Sequence, residues 1–328
     1  MTHSARVATV SLSPAIDQTA RVPNFTAGAV NRVEWQQLDA GGKGVNVASF
    51  LADAGLPVVV TGILGEANMD AFVQLFKDKG IEDRFVRVAG STRVNVKIVD
   101  EIQHKVTDIN FPGLQVSDEH MSALLSMIDS LAADTGWFVL SGSVPTGLPT
   151  GIYAQMVSRL KRLGKTVILD TSGPAFAEAV PAAPDVIKPN IDELEELVAR
   201  RLETEEAIIG AARSLVAGAR GGSVSGGGIA LVAVSMGPRG ALFVTRDEVV
   251  HAKPPAISVK STVGAGDAMV AGIVAGALRG LDLAGRARLA TAFSLGALSE
   301  IGPRLPPPAT IEAFAERVNV RQIVVQQN

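Results

Sequence analysis

One carboxylate, Asp267, stands in the stretch STVGAGDAMVAG (261–272), directly after Gly264-Ala265-Gly266 and ahead of an eleven-residue apolar run that meets no charge before Arg279. Glycines let successive N–H groups fold into a concave nest, and a helix beginning there adds about half a positive charge. Such a turn is built to hold an anion. The acid beside it either works on that anion or merely caps the helix. The residues alone leave both readings open.

Three further stretches have the same character. In AGGKGVNVASFLADAG (40–55) a glycine-rich turn runs into a helix; Gly41 and Gly42 let a polar ligand approach the backbone, and Asn46 one turn on can bond a hydroxyl or a phosphate. The pattern is not a P-loop, because Gly, four residues, then Gly-Lys-Ser/Thr is missing. Its plain alternative is a tight turn with an exposed lysine. VIKPNIDELEEL (186–197) ends a strand with Lys188 and Asn190 and opens a helix rich in acids. Those acids complement the helix dipole, or Glu193 and Asn190 orient waters around Mg²⁺. SMGPRG (235–240), with Gly237 and Gly240, reads as a hairpin or a nucleotide-contacting turn, and Ser141 in SGS ends another strand. Asp17 follows the first strand in SLSPAID, and Arg93 heads a polar strand-like segment. The four histidines show no metal-ligand spacing.

These residues need a scaffold, and the chain alternates to provide one. Short β-branched runs at 6–12, 58–64, 137–142, 166–172, 185–190 and 229–235 alternate with helical patterns near 44–54, 68–79, 117–132, 150–163, 191–199, 205–217, 267–279 and 284–299. That rhythm predicts an α/β fold whose mostly parallel central sheet has helices on both faces, with ligands beyond the carboxyl ends of its strands. HAKPPAISVK (251–260) reads as a strand leading into the nest. Segments of about 18–38 and 93–111 are strand-like with polar alternation, and predict half-exposed antiparallel strands pairing as a small β-sheet lid. The glycine-rich stretch 217–228 reads as a surface loop, and GPRLPPP (302–308) as a connector before a last helix. The expectation is one domain over 1–328, with both lid segments inside it.

Composition narrows the function classes. With 30 basic against 33 acidic residues and a 4% aromatic content, there is no basic footprint or stacking platform for nucleic acid. Cysteine is absent, which excludes disulfides and thiolate chemistry. No signal-like N-terminus or 18-residue apolar span occurs, so no membrane partner is expected, and a cytoplasmic location is.

Together GGKGVNVA (41–48), KPNIDEL (188–194) and STVGAGDAMVAG (261–272), with SMGPRG between the last two, resemble the ribokinase-like, PfkB-type carbohydrate kinases in order and spacing. SLSPAID, TRVNVKI (92–98), VTDINFPG (106–113) and SGSVPTG (141–147) follow the bacterial branch that acts on fructose 1-phosphate. The likeness runs over about residues 6–317. It implies transfer of phosphate from ATP, with Mg²⁺, to the C6 hydroxyl of fructose 1-phosphate. It implies Asp267 as general base and Gly264, Ala265 and Gly266 as the anion hole. Asp17, Gly41, Gly42, Lys43, Asn46, Arg93 and Ser141 fall on the sugar-phosphate side. Lys188, Asn190, Ser235, Gly237, Gly240, Thr262, Gly264 and Gly266 fall on the ATP side, with Asn190 and Glu193 near Mg²⁺ through water. The glycine-rich stretch 217–228 is longer than the family pattern. Rival readings are a kinase of fructose 6-phosphate or tagatose 6-phosphate, and a non-catalytic sensor that kept the fold. A dehydrogenase lacks its Gly-x-Gly-x-x-Gly at the first βα turn. A homodimer through exposed lid strands is also expected.

Overall fold

The computed structural model describes residues 6–218, 228–261 and 263–324. Thr262 and most of the glycine-rich stretch 217–228 therefore lie outside the described residues. In chain order the strands are β1 (Val7–Ser11), β2 (Ala15–Arg21), β3 (Trp35–Gly41), β4 (Val58–Gly65), β5 (Glu82–Asp83), β6 (Val86–Val88), β7 (Arg93–Asp100), β8 (Lys105–Ile109), β9 (Trp137–Ser141), β10 (Thr166–Asp170), β11 (Val186–Ile187), β12 (Leu231–Ser235), β13 (Ala241–Val244), β14 (Val249–Lys253) and β15 (Asn319–Gln322). The helices are α1 (Lys43–Asp53), α2 (Asp70–Lys79), α3 (Asp118–Leu131), α4 (Ile152–Arg162), α5 (Gly173–Ala179), α6 (Ile191–Val198), α7 (Glu205–Ala217), α8 (Ala265–Leu278), α9 (Leu283–Leu298) and α10 (Pro308–Arg317).

The main sheet runs β15-β14-β13-β12-β11-β10-β9-β1-β4-β5, with β6 also on β4. It is parallel from β12 to β5, as the alternation predicts, and antiparallel from β12 through β15. The reversal follows from connection length. Only a Gly237–Arg239 turn joins β12 to β13, and a turn closed by the Thr245 N–H on the Glu248 carbonyl joins β13 to β14; neither can make the crossover that parallel strands need. α1, α2, α8, α9 and α10 pack on one face and α3, α4, α5, α6 and α7 on the other, each over its own apolar cluster. No described helix is long and apolar enough to cross a membrane.

The second sheet, β3-β2-β7-β8, is built from the two segments expected to form the lid. The two segments do pair, but β2 and β7 run parallel rather than antiparallel, because both leave the same edge of the main sheet, after β1 and β6. Within the first segment, residues 22–34 cross between β2 and β3 instead of forming strand. Three other boundaries differ from the expectation. Pro254 and Pro255 lack the N–H that a ladder needs, so the strand expected at 251–260 stops at Lys253. Pro189 cuts the strand expected at 185–190 to β11, leaving one bridge from Asn190 to Ser235. Helix α8 begins at Ala265, two residues early, with Gly264 as its N-cap. Nothing in the pattern signalled α5 or β15.

What holds the site still is α8 itself. Residues Asp267 to Gly276 are all buried, and a Cβ on Gly272 would stand 2.6 Å from the Ala290 Cα, so α8 and α9 touch backbone to backbone. A helix clamped this way gives its first turn little freedom to shift.

Candidate active site

Gly264 turns the chain with φ 78°, a left-handed conformation that disfavours a side chain, and the following N–H groups open into the site at the start of α8. No side chain caps that terminus. Asp267 therefore does not act as the N-cap: it lies inside the first turn, 6% exposed, and its Oδ2 accepts a 2.8 Å hydrogen bond from the Asn46 Nδ2. Asn46 comes from the first turns of α1, so the two glycine-rich motifs meet through this contact. Burial pushes Asp267 up to about 6, helped by the neighbouring Asp170 carboxylate; Lys43, the Asn46 bond and Lys188 pull the other way. An acid so placed is mostly ionised at neutral pH, and so able to accept a proton, yet close enough to neutrality to hold one.

Lys43 starts α1 after Gly42, whose φ is 103° and whose added Cβ would lie 2.7 Å from the Pro14 Cα. Three residues before Asn46, Lys43 shares that residue's face of the helix. Its ammonium donates to both oxygens of Asp170 at 3.3 Å, and the Lys188 ammonium stands 3.3 Å from Asp170 Oδ1. Asp170 ends β10 and is fully buried. Burial alone would raise it, yet Lys188 and Lys43 outweigh that and hold its carboxyl below the usual range. Burial likewise works against the charge on Lys43, but Asp170, then Asp267 and Glu193, keep it firmly protonated. Lys188 borders the nest: a Cβ on Gly266 would come within 3.3 Å of its Nζ.

Of the sugar-side candidates, Asp17 and Asn46 share one cleft beside the second sheet. That cleft, of about 350 Å³, is lined by Asp17, Thr19 and Asp39 from the lid, by Asn46, and by the loops around Val263 and Gly302. Gly41 is glycine for a steric reason, since a Cβ there would sit 2.7 Å from Asp17 Oδ2. Burial raises Asp17; the Asn95 amide, which donates to it at 3.1 Å, opposes the rise, as does Arg93. Arg93 donates to the carbonyls of Ser13 and Phe111, while its buried Nε finds no partner among the described residues. The buried hydroxyls of Ser11 and Ser141, adjacent in register at the ends of β1 and β9, and the Asn46 Oδ1 are also without partners among those residues. Orphaned polar atoms at one sheet edge suit a polyhydroxylated ligand.

The nucleotide-side candidates are less uniform. Asn190 and Glu193 form a capping box on α6, each side chain bonded to the other's backbone N–H at 2.8 Å. The bridge to Asn190 sets Ser235 beside them. Gly237 faces open space, whereas a Cβ on Gly240 would lie 2.1 Å from the Ala252 carbonyl, so packing on β14 already accounts for that glycine. Thr262 lies outside the described residues.

Sequence reasoning missed Asp170, Asp39 and Asn95. The sheet rule offered a signal for Asp170, because it ends β10 directly beside Ser141. Asp39 and Asn95 face Asp17 across β2 and become visible only once the strand register is known.

The chain is similar to known proteins over nearly its whole length. The family described as pfkB family carbohydrate kinase matches residues 4–310. The 1-phosphofructokinase of Rhodobacter capsulatus is 50% identical over 319 residues, covering 97% of this chain and 98% of that protein. That of Xanthomonas campestris is 43% identical, covering 95% and 97%. A Thermotoga maritima structure described as a possible 1-phosphofructokinase superposes with a TM-score of 0.86 at 26% identity, covering 97% of this chain and all of that one.

Proposed function

The chain belongs to the pfkB family of carbohydrate kinases, and from that premise we propose that it transfers the γ-phosphoryl group of ATP to the C6 hydroxyl of fructose 1-phosphate, giving fructose 1,6-bisphosphate and ADP. Its activity as an ATP-dependent sugar-phosphate kinase follows from the family and from relatives named 1-phosphofructokinase over nearly the whole chain. The observation that carries the reaction is the buried Asp267, held by Asn46 at the mouth of an uncapped helix N-terminus.

Phosphoryl transfer asks a protein mainly to align the reacting oxygen and to neutralise developing charge. The C6 oxygen forms its bond to the γ-phosphorus as the bond to the β,γ-bridging oxygen breaks, and the hydroxyl proton passes to Asp267. The N–H groups of Gly264, Ala265 and Gly266 meet the transferring oxygens, with Lys43 and Lys188 adding positive charge. Asp17, Gly41, Gly42, Asn46, Arg93 and Ser141 hold the sugar phosphate under the lid, whose closure excludes water. Lys188, Asn190, Ser235, Gly237, Gly240 and Thr262 serve the nucleotide.

No described group of three or more acids or histidines forms a metal cage, and Asn190 and Glu193 already spend oxygens on their capping box. Mg²⁺ keeps several of its waters, and Asn190 and Glu193 would hold it by bonding those waters. When bound it would neutralise phosphate charge. The whole chain works as one domain in the cytoplasm, with lid segments near 18–38 and 93–111. Leu38, Val96, Ile98 and Ile109 lie on the lid face turned away from the cleft, with Leu38 and Ile109 exposed, which supports a homodimer through the lid.

Turnover measured on fructose 1-phosphate, fructose 6-phosphate and tagatose 6-phosphate tests the assignment. The first is expected to win on kcat/KM by at least about tenfold, roughly one good polar contact. Preference for either 6-phosphate would move the acceptor to C1 and sink it.

A further inference from the structure

Four charged groups converge under the nest. Asp170 and Asp267 supply two negative charges, and Lys43 and Lys188 two positive ones, so the set is balanced only when all are ionised. Burying such a group is expensive, and apolar residues of the same volume would commonly give a more stable fold. Its presence at the edge where ligands bind therefore points to function.

Asp170 is the hub. Its side chain is wholly buried at the end of β10, between an ammonium from the start of α1 and one that follows β11. It is the one acid within ion-pairing distance of both ammonium groups among the described residues. Lys188 has a buried stem and a head against Gly266, while Lys43 is only half buried and open to the site. Asp170 has no exposed surface with which to touch substrate.

We propose that Asp170 is a positioning residue for the transfer: its carboxylate holds the Lys43 and Lys188 ammonium groups beside the nest and so sets the charge that Asp267 meets. Resting on Asp267 as base, this assigns the lysine pair its geometry before any phosphate arrives. The titratable groups facing Asp267 are Asp170, Lys43 and Lys188; Glu193 bears on it through Lys43, and Tyr153 lies behind Asp170. Asp170 disfavours the ionised base and the lysines favour it, so removing one or the other moves the base in opposite directions.

The test is the pH profile of kcat/KM for fructose 1-phosphate in Asp170→Asn and Lys43→Met, with folding checked by circular dichroism. The acid limb is expected near pH 6 in the unaltered enzyme, lower by about one unit or more in Asp170→Asn and higher in Lys43→Met. Turnover at neutral pH falls on the order of a hundredfold in Asp170→Asn. Limbs that stay in place, or shift in the same direction, overturn the proposal. Should Asp170→Asn not fold, Asp170→Glu decides: a carboxylate of different reach misplaces the ammonium pair and is expected to lower turnover at least about tenfold with the acid limb displaced, and an unaltered profile overturns the proposal. The base reading fails separately, through an Asp267→Asn enzyme that keeps its turnover.

Discussion

Under the nest, Asp170 sits sealed between two ammonium groups, while on the lid Lys97 and Asp108 pair across β7 and β8 with the acid's side chain 53% exposed. The residue types are alike and the physics is not. In the buried floor a charge interacts through a low effective dielectric, so each group shifts its neighbours' proton affinity. On the lid, water and salt screen the pair, and its net worth is at most about 1 kcal/mol. The floor is likewise clamped, since α8 packs backbone to backbone on α9, whereas β2 and β3 are joined by thirteen residues, 22–34, that form neither strand nor helix. On the proposed reading, chemistry belongs to the buried half and substrate capture to the exposed half.

The sharpest way to break that division is Asp267→Asn. It should lower kcat by about a hundredfold to ten-thousandfold while ATP binding, followed by calorimetry, persists. The same variant should be the more stable protein. Asp267 is raised to about 6 in the fold, so between an unfolded value near 3.9 and pH 6 the folded state binds the extra proton and stability falls as pH rises. A neutral asparagine escapes that penalty, and thermal unfolding at pH 7 should show a gain on the order of 2 kcal/mol. A loss of stability would mean that the carboxylate is held by more partners than Asn46, Lys43 and Lys188.

Asp17→Asn probes the other half. Asp17 lines the cleft and touches Asn95, and its carboxylate is the one Gly41 makes room for. Its loss should raise KM for the sugar phosphate about tenfold, roughly one hydrogen bond, with kcat changed far less. The smallest effect on catalysis belongs to Leu38→Glu on the outer face of the lid. With that side chain 57% exposed, stability should stay within about 0.5 kcal/mol, yet a charge set into an apolar contact should convert dimer to monomer in light scattering. An unaltered protein that is already monomeric would end the proposed lid dimer.

The same contrast explains what was legible in the sequence. Asp267, the nest and Asn46 announce themselves because glycine-rich turns entering apolar helices are local patterns, and the lid because polar alternation is local too. Asp170 is a single acid after an apolar run; its meaning lies in two lysines from segments 127 and 18 positions away, which only the sheet order brings together. The parallel pairing of β2 with β7 was hidden for the same reason, because strand direction is set by which edge of the main sheet each segment leaves. The strand ends at β11 and β14 differ in kind: the expected strands ran through Pro189 and Pro254, although both remove donors and so carried a local signal that was passed over.

Steady-state kinetics of Asp267→Asn and Asp17→Asn on fructose 1-phosphate, run side by side, test the division most directly. The first is expected to lose kcat with KM nearly kept, and the second to raise KM with kcat nearly kept. Equal losses of kcat in both variants would contradict it, because floor and lid would then act on the same step.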